Sequence, residues 1–300
     1  MIRRDCAYFV DRHLRTVPVH RALIRAAEAA LFAGVDLPRP LLDVGCGDGH
    51  FGAMVRAEPI DAGIDLNPGE VAQADQQGIY RGVAVASGAA LPFPDEAFAS
   101  VMSNCVLEHI PPLDETLGEI SRVLRPGGAF VTSVPSPNFA RFLLGATVPR
   151  ALGLPAAGEA YGRWFNRISR HYHTDSLDVW QARLAAVGLD LVRWRGYLSQ
   201  QAMWLFDLSH YYGAPTLLSK RLFGRWVLWP DKVRYWPPER WLAKRLVRYG
   251  EEDPGAEAAY LFLVCKKRAA NGSQPSAVSH QQGAGTTTVD TPRANGQAES

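Results

Sequence analysis

Leu41-Leu42-Asp43-Val44-Gly45-Cys46-Gly47-Asp48-Gly49 reads as an apolar strand running into a glycine-dense turn, and Ile64-Asp65-Leu66 closes a second apolar strand with an acid. A spacing of about twenty residues between such a turn and such an acid is how a parallel α/β sheet holds a nucleoside. Glycines let the backbone come close to the ligand, and the carboxylate can receive both ribose hydroxyls. A dinucleotide fingerprint, G-x-G-x-x-G counted from Gly45, would need glycine where His50 stands. The pattern is instead D-x-G-x-G-x-G, and oxidoreduction with a nicotinamide dinucleotide is disfavoured.

Outward from this run, strand and helix signals alternate. Strands are expected over 41–45, 61–66, 80–86, 98–106 and 129–134, with helices over 50–57, 69–77 and 113–124, the last stopped by Pro126-Gly127-Gly128. This rhythm predicts a doubly wound sheet with helices on both faces. Ahead of it, residues 8–33 carry a helical apolar face that Pro18 divides in two. Behind it, 135–170 reads as irregular. A helix follows over 176–187, then a strand over 189–198 and a last strand over 259–265.

Composition excludes several classes. The chain has 300 residues, 47% hydrophobic and 21% charged, with a formal net charge of +2. That charge makes no case for nucleic acid, and no Asn-Pro-Pro-Tyr-like motif follows the fourth strand. Cys6, Cys46, Cys105 and Cys265 are scattered without metal spacing, as free thiols of a reducing compartment would be. No signal peptide is evident, and no run approaches ~18 consecutive apolar residues. The expected location is the cytoplasm, with a peripheral position at the membrane surface as the alternative. Residues 269–300 are rich in Ser, Gln, Gly, Thr and Ala and are expected to be a disordered tail.

D-x-G-x-G-x-G over residues 43–49 resembles motif I of the class I S-adenosylmethionine-dependent methyltransferases, of the type 11-like small-molecule kind. Further pieces follow in order: Asp65, the run Ser87-Gly88-Ala89 through Phe98, the block Ser103-Asn104-Cys105-Val106-Leu107-Glu108-His109-Ile110, and Glu119 through Gly128. The resemblance is close over about 40–135 and loose over 170–198 and 259–268. It implies a Rossmann-like sheet of seven mostly parallel strands, the last antiparallel, in one domain over 1–268. Residues 1–37 would form a helical cap, and 199–258 a helical insertion between strands six and seven. It implies S-adenosylmethionine as cofactor. Asp43 would sit near the methionine part, with Gly45, Cys46 and Gly47 forming the turn beneath it. Asp65 would take the ribose hydroxyls, Leu66 would lie beside the adenine, and Ser87, Gly88 and Ala89 would form the adenine loop. Asn104 would lie beside the sulfonium. Relatives commonly place an acid where Ser87 stands, and a neutral hydroxyl makes a weaker hydrogen bond.

Methyl transfer is an in-line displacement in which a protein mainly positions the acceptor and excludes water. Where the acceptor needs a base, the candidates are Glu108, His109, His171 and His173. His171 and His173 with Asp175 can be read as a metal set or as a helix-capping segment; spacing alone carries no metal, and none is expected.

Residues 200–249 hold nine Lys/Arg against three Asp/Glu. Amphipathic helices are expected at 216–229, with Leu218, Leu222, Trp226 and Trp229 on one face, and at 239–249, with Trp241, Leu242 and Leu246. Such helices serve either as a lid over the sheet or the acceptor, or as a membrane-surface element. The expected partner is a small apolar or amphipathic acceptor, lipid-like in the extreme, with peripheral membrane contact through 216–249 and no nucleic acid. The competing reading is a non-catalytic module that binds cofactor or partner.

Overall fold

The computed structural model describes residues 5–223, 237–269 and 279–280. Its centre is one sheet of β1 (Leu41–Val44), β2 (Ala62–Asp65), β3 (Val83–Val85), β4 (Phe98–Asn104), β5 (Leu124–Pro135), β6 (Leu189–Tyr197), β7 (Tyr260–Lys267) and β8 (Ser279–His280). The strands lie in the order β3-β2-β1-β4-β5-β7-β6-β8. β1 to β5 are mutually parallel where they pair, while β7 runs antiparallel to both β5 and β6. The seven expected strands are thus present, with a two-residue strand added beside β6.

Side-chain alternation builds two cores, one on each face of the sheet. Val101, Phe130 and Leu263 point to one face, where they meet Leu117 and Ile120 of α5 (Leu113–Val123) and Trp180 and Leu184 of α9 (Leu177–Ala186). Their neighbours Met102, Val131 and Phe262 point to the other. There they meet α1 (Cys6–Leu14), α2 (Val19–Ala33), α10 (Gln200–Phe223) and α11 (Pro237–Glu251) through Phe9, Leu23, Phe32, Met203, Phe206 and Leu246. Asp5 starts α1 by accepting the Tyr8 amide at 3.0 Å, and Pro18 caps α2, which is the expected division.

Two stretches differ from expectation. Residues 138–168, expected to be irregular, form α6 (Asn138–Phe142), α7 (Leu144–Ala151) and α8 (Pro155–Ile168). Proline and glycine had marked this stretch as loop, but here they serve helix starts and helix contacts. Pro155 occupies the first turn of α8, and a Cβ on Gly158 would collide with the Ala146 carbonyl of α7. Contact surfaces made of glycine carry no apolar period. In the insertion, α10 begins at Gln200 rather than 216, because Ala202, Met203 and Phe206 pack among the buried residues over α2. Both α10 and α11 pack on α2, and α11 also packs on α1. Residues 224–236, with Trp226 and Trp229, and all of 270–300 except 279–280 lie outside the described residues.

The third strand is shorter than its predicted 80–86. Tyr80 makes only an isolated bridge to Ile60, and its side chain serves another purpose described below.

Candidate active site

From β1 the chain steps outward to β2 and β3, then returns to the other side of β1 as β4 and β5. Between the carboxyl ends of β1 and β4 this reversal opens a crevice where no connection covers the sheet. Two cavities occupy it. One, of about 340 Å³, is lined by Asp43, Gly45, Cys46, Gly47, Asp65 and Asn104 together with Arg21, Arg25 and His13 of the N-terminal helices. The other, of about 460 Å³, is lined by Leu66, Ser87, Gly88, His109, Ile110 and Arg170. Gly45, Asp65 and Val106 line both, so the two halves meet around them.

Gly45 has φ +76°, and a Cβ there would strike the Val106 side chain. Only glycine allows strand β1 to pass beneath the loop after β4. Asp65 accepts the Gly47 amide at 3.0 Å and the Asn67 amide at 2.8 Å. Those two bonds aim its carboxylate across the glycine turn and leave it lone pairs for further donors. Leu66 is 72% exposed, an apolar side chain held open at the lip of the second cavity. Ser87 already accepts the Ala89 amide at 3.2 Å; Ala89 contributes that contact and does not line either cavity.

Asp43 is buried, and burial pushes its carboxyl up to about 7, against the Tyr80 hydroxyl, which donates to it at 2.7 Å and pulls it down. Tyr80 reaches Asp43 past Gly52 and Gly63, where a Cβ would run into the tyrosine ring. This pairing was not read from the sequence. Its trace there is the pair of glycines, one in α3 (His50–Val55) and one in β2, which cost stability in an element interior unless something large packs on them.

Glu28 was also missed. It stands in α2 between Ala27 and Ala29 and is fully buried. Its carboxylate accepts from Asn104 Nδ2 at 2.8 Å, Cys105 Sγ at 2.8 Å, Arg25 Nη1 at 3.2 Å and the Tyr197 hydroxyl at 3.3 Å. Four donors offset the desolvation of one buried charge. They also tie the N-terminal helices to the end of β4, where Asn104 additionally accepts the Ser133 hydroxyl. A lone carboxylate on the alanine face of a helix is the available signal.

Of the four candidate bases, three come together. Glu108, His109 and His171 each present one donor atom, all within 4.8 Å of one another. Burial pushes the Glu108 carboxyl up to about 8 and the His171 imidazole down to about 4, the latter aided by His109 beside it. His173 stands apart: its Nε2 sits 3.1 Å from the Ile110 carbonyl and 3.3 Å from that of Pro111, a packing role for the loop after β4. Asp175 pairs with Arg183 at 3.2 Å, so the set His171, His173 and Asp175 is not the one the fold assembles.

Residues 42–132 match a protein family described as a methyltransferase domain. An uncharacterized methyltransferase of Mycobacterium avium is 33% identical over 181 residues, which are 56% of this chain and 69% of that protein. Another, of Mycolicibacterium paratuberculosis, is 35% identical over 148 residues, 46% of this chain and 56% of that protein. The chain therefore spans somewhat over half the length of these two relatives. A crystal structure from Thermotoga maritima, described as a SAM-dependent methyltransferase and possible histamine N-methyltransferase, superposes with a TM-score of 0.53 over 83% of this chain and 91% of that one. At 14% identity that likeness is one of fold.

Proposed function

The chain belongs to the class I S-adenosylmethionine-dependent methyltransferases, and from that premise we propose that it transfers the methyl group of S-adenosylmethionine to a small apolar or amphipathic acceptor. The observation that carries this reading is the paired cavity at the sheet reversal, lined by several charged side chains on one side of Asp65 and mostly apolar on the other. The residues present fit the two ends of that molecule. A backbone cradle at Gly45, which a Cβ would close, lies under the junction. The ionisable groups Asp43 and Arg25 face the amino-acid end, and Leu66 and Ile110 the purine end. When bound, S-adenosylmethionine supplies a methyl group on a cationic sulfur, which leaves the chain the work of holding, orienting and drying.

Asp65 receives the ribose hydroxyls, since its remaining lone pairs face the cleft. Asp43 meets the cationic end in its ionised form, with Tyr80 fixing the side chain. Asn104, held by Glu28 and Ser133, keeps the end of β4 at a set distance from the glycine turn. Beyond Val106, His109 lines the second cavity and Glu108 precedes it on the same turn. The helical layer of α6–α8, α10 and α11 supplies the acceptor side, and Trp164 and Trp204, each exposed by 40% or more, offer it aromatic surface.

The test is production of S-adenosylhomocysteine from S-adenosylmethionine with a panel of apolar hydroxyl, amine and polyprenyl acceptors. Acceptor-dependent product whose S-adenosylmethionine requirement Asp65→Ala raises by about 10–150-fold supports the reading. Cofactor binding without product from any class favours the non-catalytic module.

Peripheral contact with a membrane surface through 216–249 is a second reading. No helix among the described residues is long and apolar enough to cross a membrane. In its favour, Leu222 is 64% and Trp241 59% exposed. Sedimentation with anionic vesicles, lost in Trp241→Ser with Leu222→Ser, would support it; no sedimentation of the wild type would remove it.

A further inference from the structure

We propose that Glu108, His109 and His171 form a binding site for a divalent transition-metal ion of the zinc class, at the edge of the cavity that opens beside Gly45. The three side chains come from two distant parts of the chain. Glu108 and His109 lie on the 3-10 turn after β4, and His171 follows α8. Their donor atoms converge within 4.8 Å.

Within the trio the hydrogen bonding is incomplete. Glu108 is 1% exposed, and its Oε2 is buried with no hydrogen-bond partner. Its Oε1 stands 3.8 Å from His109 Nε2, too long for a hydrogen bond. Nδ1 of His109 lies 3.1 Å from the Arg170 carbonyl, which accepts its proton. That contact fixes the tautomer and leaves a lone pair on Nε2, facing the carboxylate. Nδ1 of His171 is likewise buried without a partner. Two buried, unpartnered polar atoms, Glu108 Oε2 and His171 Nδ1, therefore stand beside the free Nε2 lone pair of His109. A cation held between the three side chains would satisfy all of these atoms together.

The ligand set fits the chemistry. Two imidazoles and one carboxylate are a common donor set for zinc, and a backbone carbonyl on the second nitrogen of a ligating histidine is the usual outer support. Zinc bonds of about 2.0–2.2 Å require donors within roughly 4 Å of one another, so binding draws the three donors slightly closer together. Three protein ligands leave at least one coordination position open. His109 and Arg170 line the cavity beside Gly45, so the ion would stand at the rim of that cavity with an open position reachable from it. Metal binding stands independently of the methyl-transfer reading.

The test uses the full chain, free of any affinity tag and stripped with chelator. Titration with cobalt(II) is followed by its visible d–d absorption, and zinc is then added to displace it. The expected result is one cobalt per chain, displaced by one zinc. Glu108→Gln and His171→Ala should each weaken binding by roughly a hundredfold or more, above the 10–100-fold typical of losing an outer partner. His173→Ala, whose imidazole is engaged elsewhere, should bind within about threefold of wild type. Circular dichroism melts show whether each variant is folded, and His109→Asn substitutes for any that is not. Titration of the metal-free protein with S-adenosylmethionine, run in parallel, separates failure of this site from failure of the cofactor reading. No saturable cobalt or zinc binding, or binding unaffected by Glu108→Gln and His171→Ala, overturns the proposal.

Discussion

The cofactor side of the crevice and the helical layer facing it are built on different rules. On the sheet side, position follows from local chain geometry: a strand end, a glycine turn, an acid at the next strand end. Each group arrives within a few residues of the element that holds it. On the helical side the groups meet only through tertiary packing. Glu28 of α2 reaches Asn104 at the end of β4, His171 reaches Glu108 from behind α8, and Asp207 of α10 accepts the Gly145 amide of α7 at 3.0 Å. The sheet side can therefore be read along the chain, whereas the helical side becomes visible only once the chain is folded.

The largest effect expected from this contrast is at Glu28, where the two sides are tied. Glu28→Ala leaves Asn104, Cys105 and Arg25 without their buried acceptor, and should destabilise the protein by about 3–5 kcal/mol. Urea denaturation measures this directly. A loss below about 1 kcal/mol would mean that the helical layer and the sheet are coupled elsewhere.

A smaller effect sharpens the account of the sheet side. With Asp43 raised to about 7 by burial, the carboxyl is largely neutral at pH 6 and largely ionised at pH 8. A cationic ligand group binds the ionised form, so affinity for S-adenosylmethionine should rise with pH across this range, by up to about tenfold per unit on the acid side. Removal of the Tyr80 hydroxyl, which pulls Asp43 down, should move the midpoint upward. Tyr80→Phe should thus bind several-fold more weakly at pH 7 and recover at pH 8. Calorimetry in buffers from pH 6 to 8 checks both signs; a flat profile for the wild type would remove Asp43 from contact with the cationic end.

The smallest effect is expected at α11. Trp241 is largely exposed, with the Arg245 guanidinium 4.6 Å above its ring. Trp241→Ser should change stability by under about 1 kcal/mol and leave S-adenosylmethionine affinity unaltered. A marked loss of affinity would show that the helical layer closes on the cofactor as well as the acceptor.

What was legible in the sequence follows the same division. The sheet, its order of elements, the division at Pro18 and the placement of Asp43, Gly45, Gly47 and Asp65 on one crevice could all be read, since period-2 runs and glycine turns are local signals. Helices α6–α8 could not, because Gly145 and Gly158 at their contact face replace the apolar residues that make a helix visible. Tyr80 escaped notice because it looks like a strand residue and acts as a hydrogen-bond donor. His171 and His173 were equally plausible from spacing. Only the fold turns the first toward Glu108 and the second onto the Ile110 and Pro111 carbonyls.

The central claim is that the crevice around Asp65 holds S-adenosylmethionine. Calorimetric titration of wild type and Asp65→Ala with S-adenosylmethionine tests it most directly. Saturable one-to-one binding is expected, weakened by the substitution by about 1.5–3 kcal/mol, roughly 10–150-fold, the value of hydrogen bonds to a charged acceptor. Absence of binding to the wild type, or equal affinity in the two proteins, would contradict it.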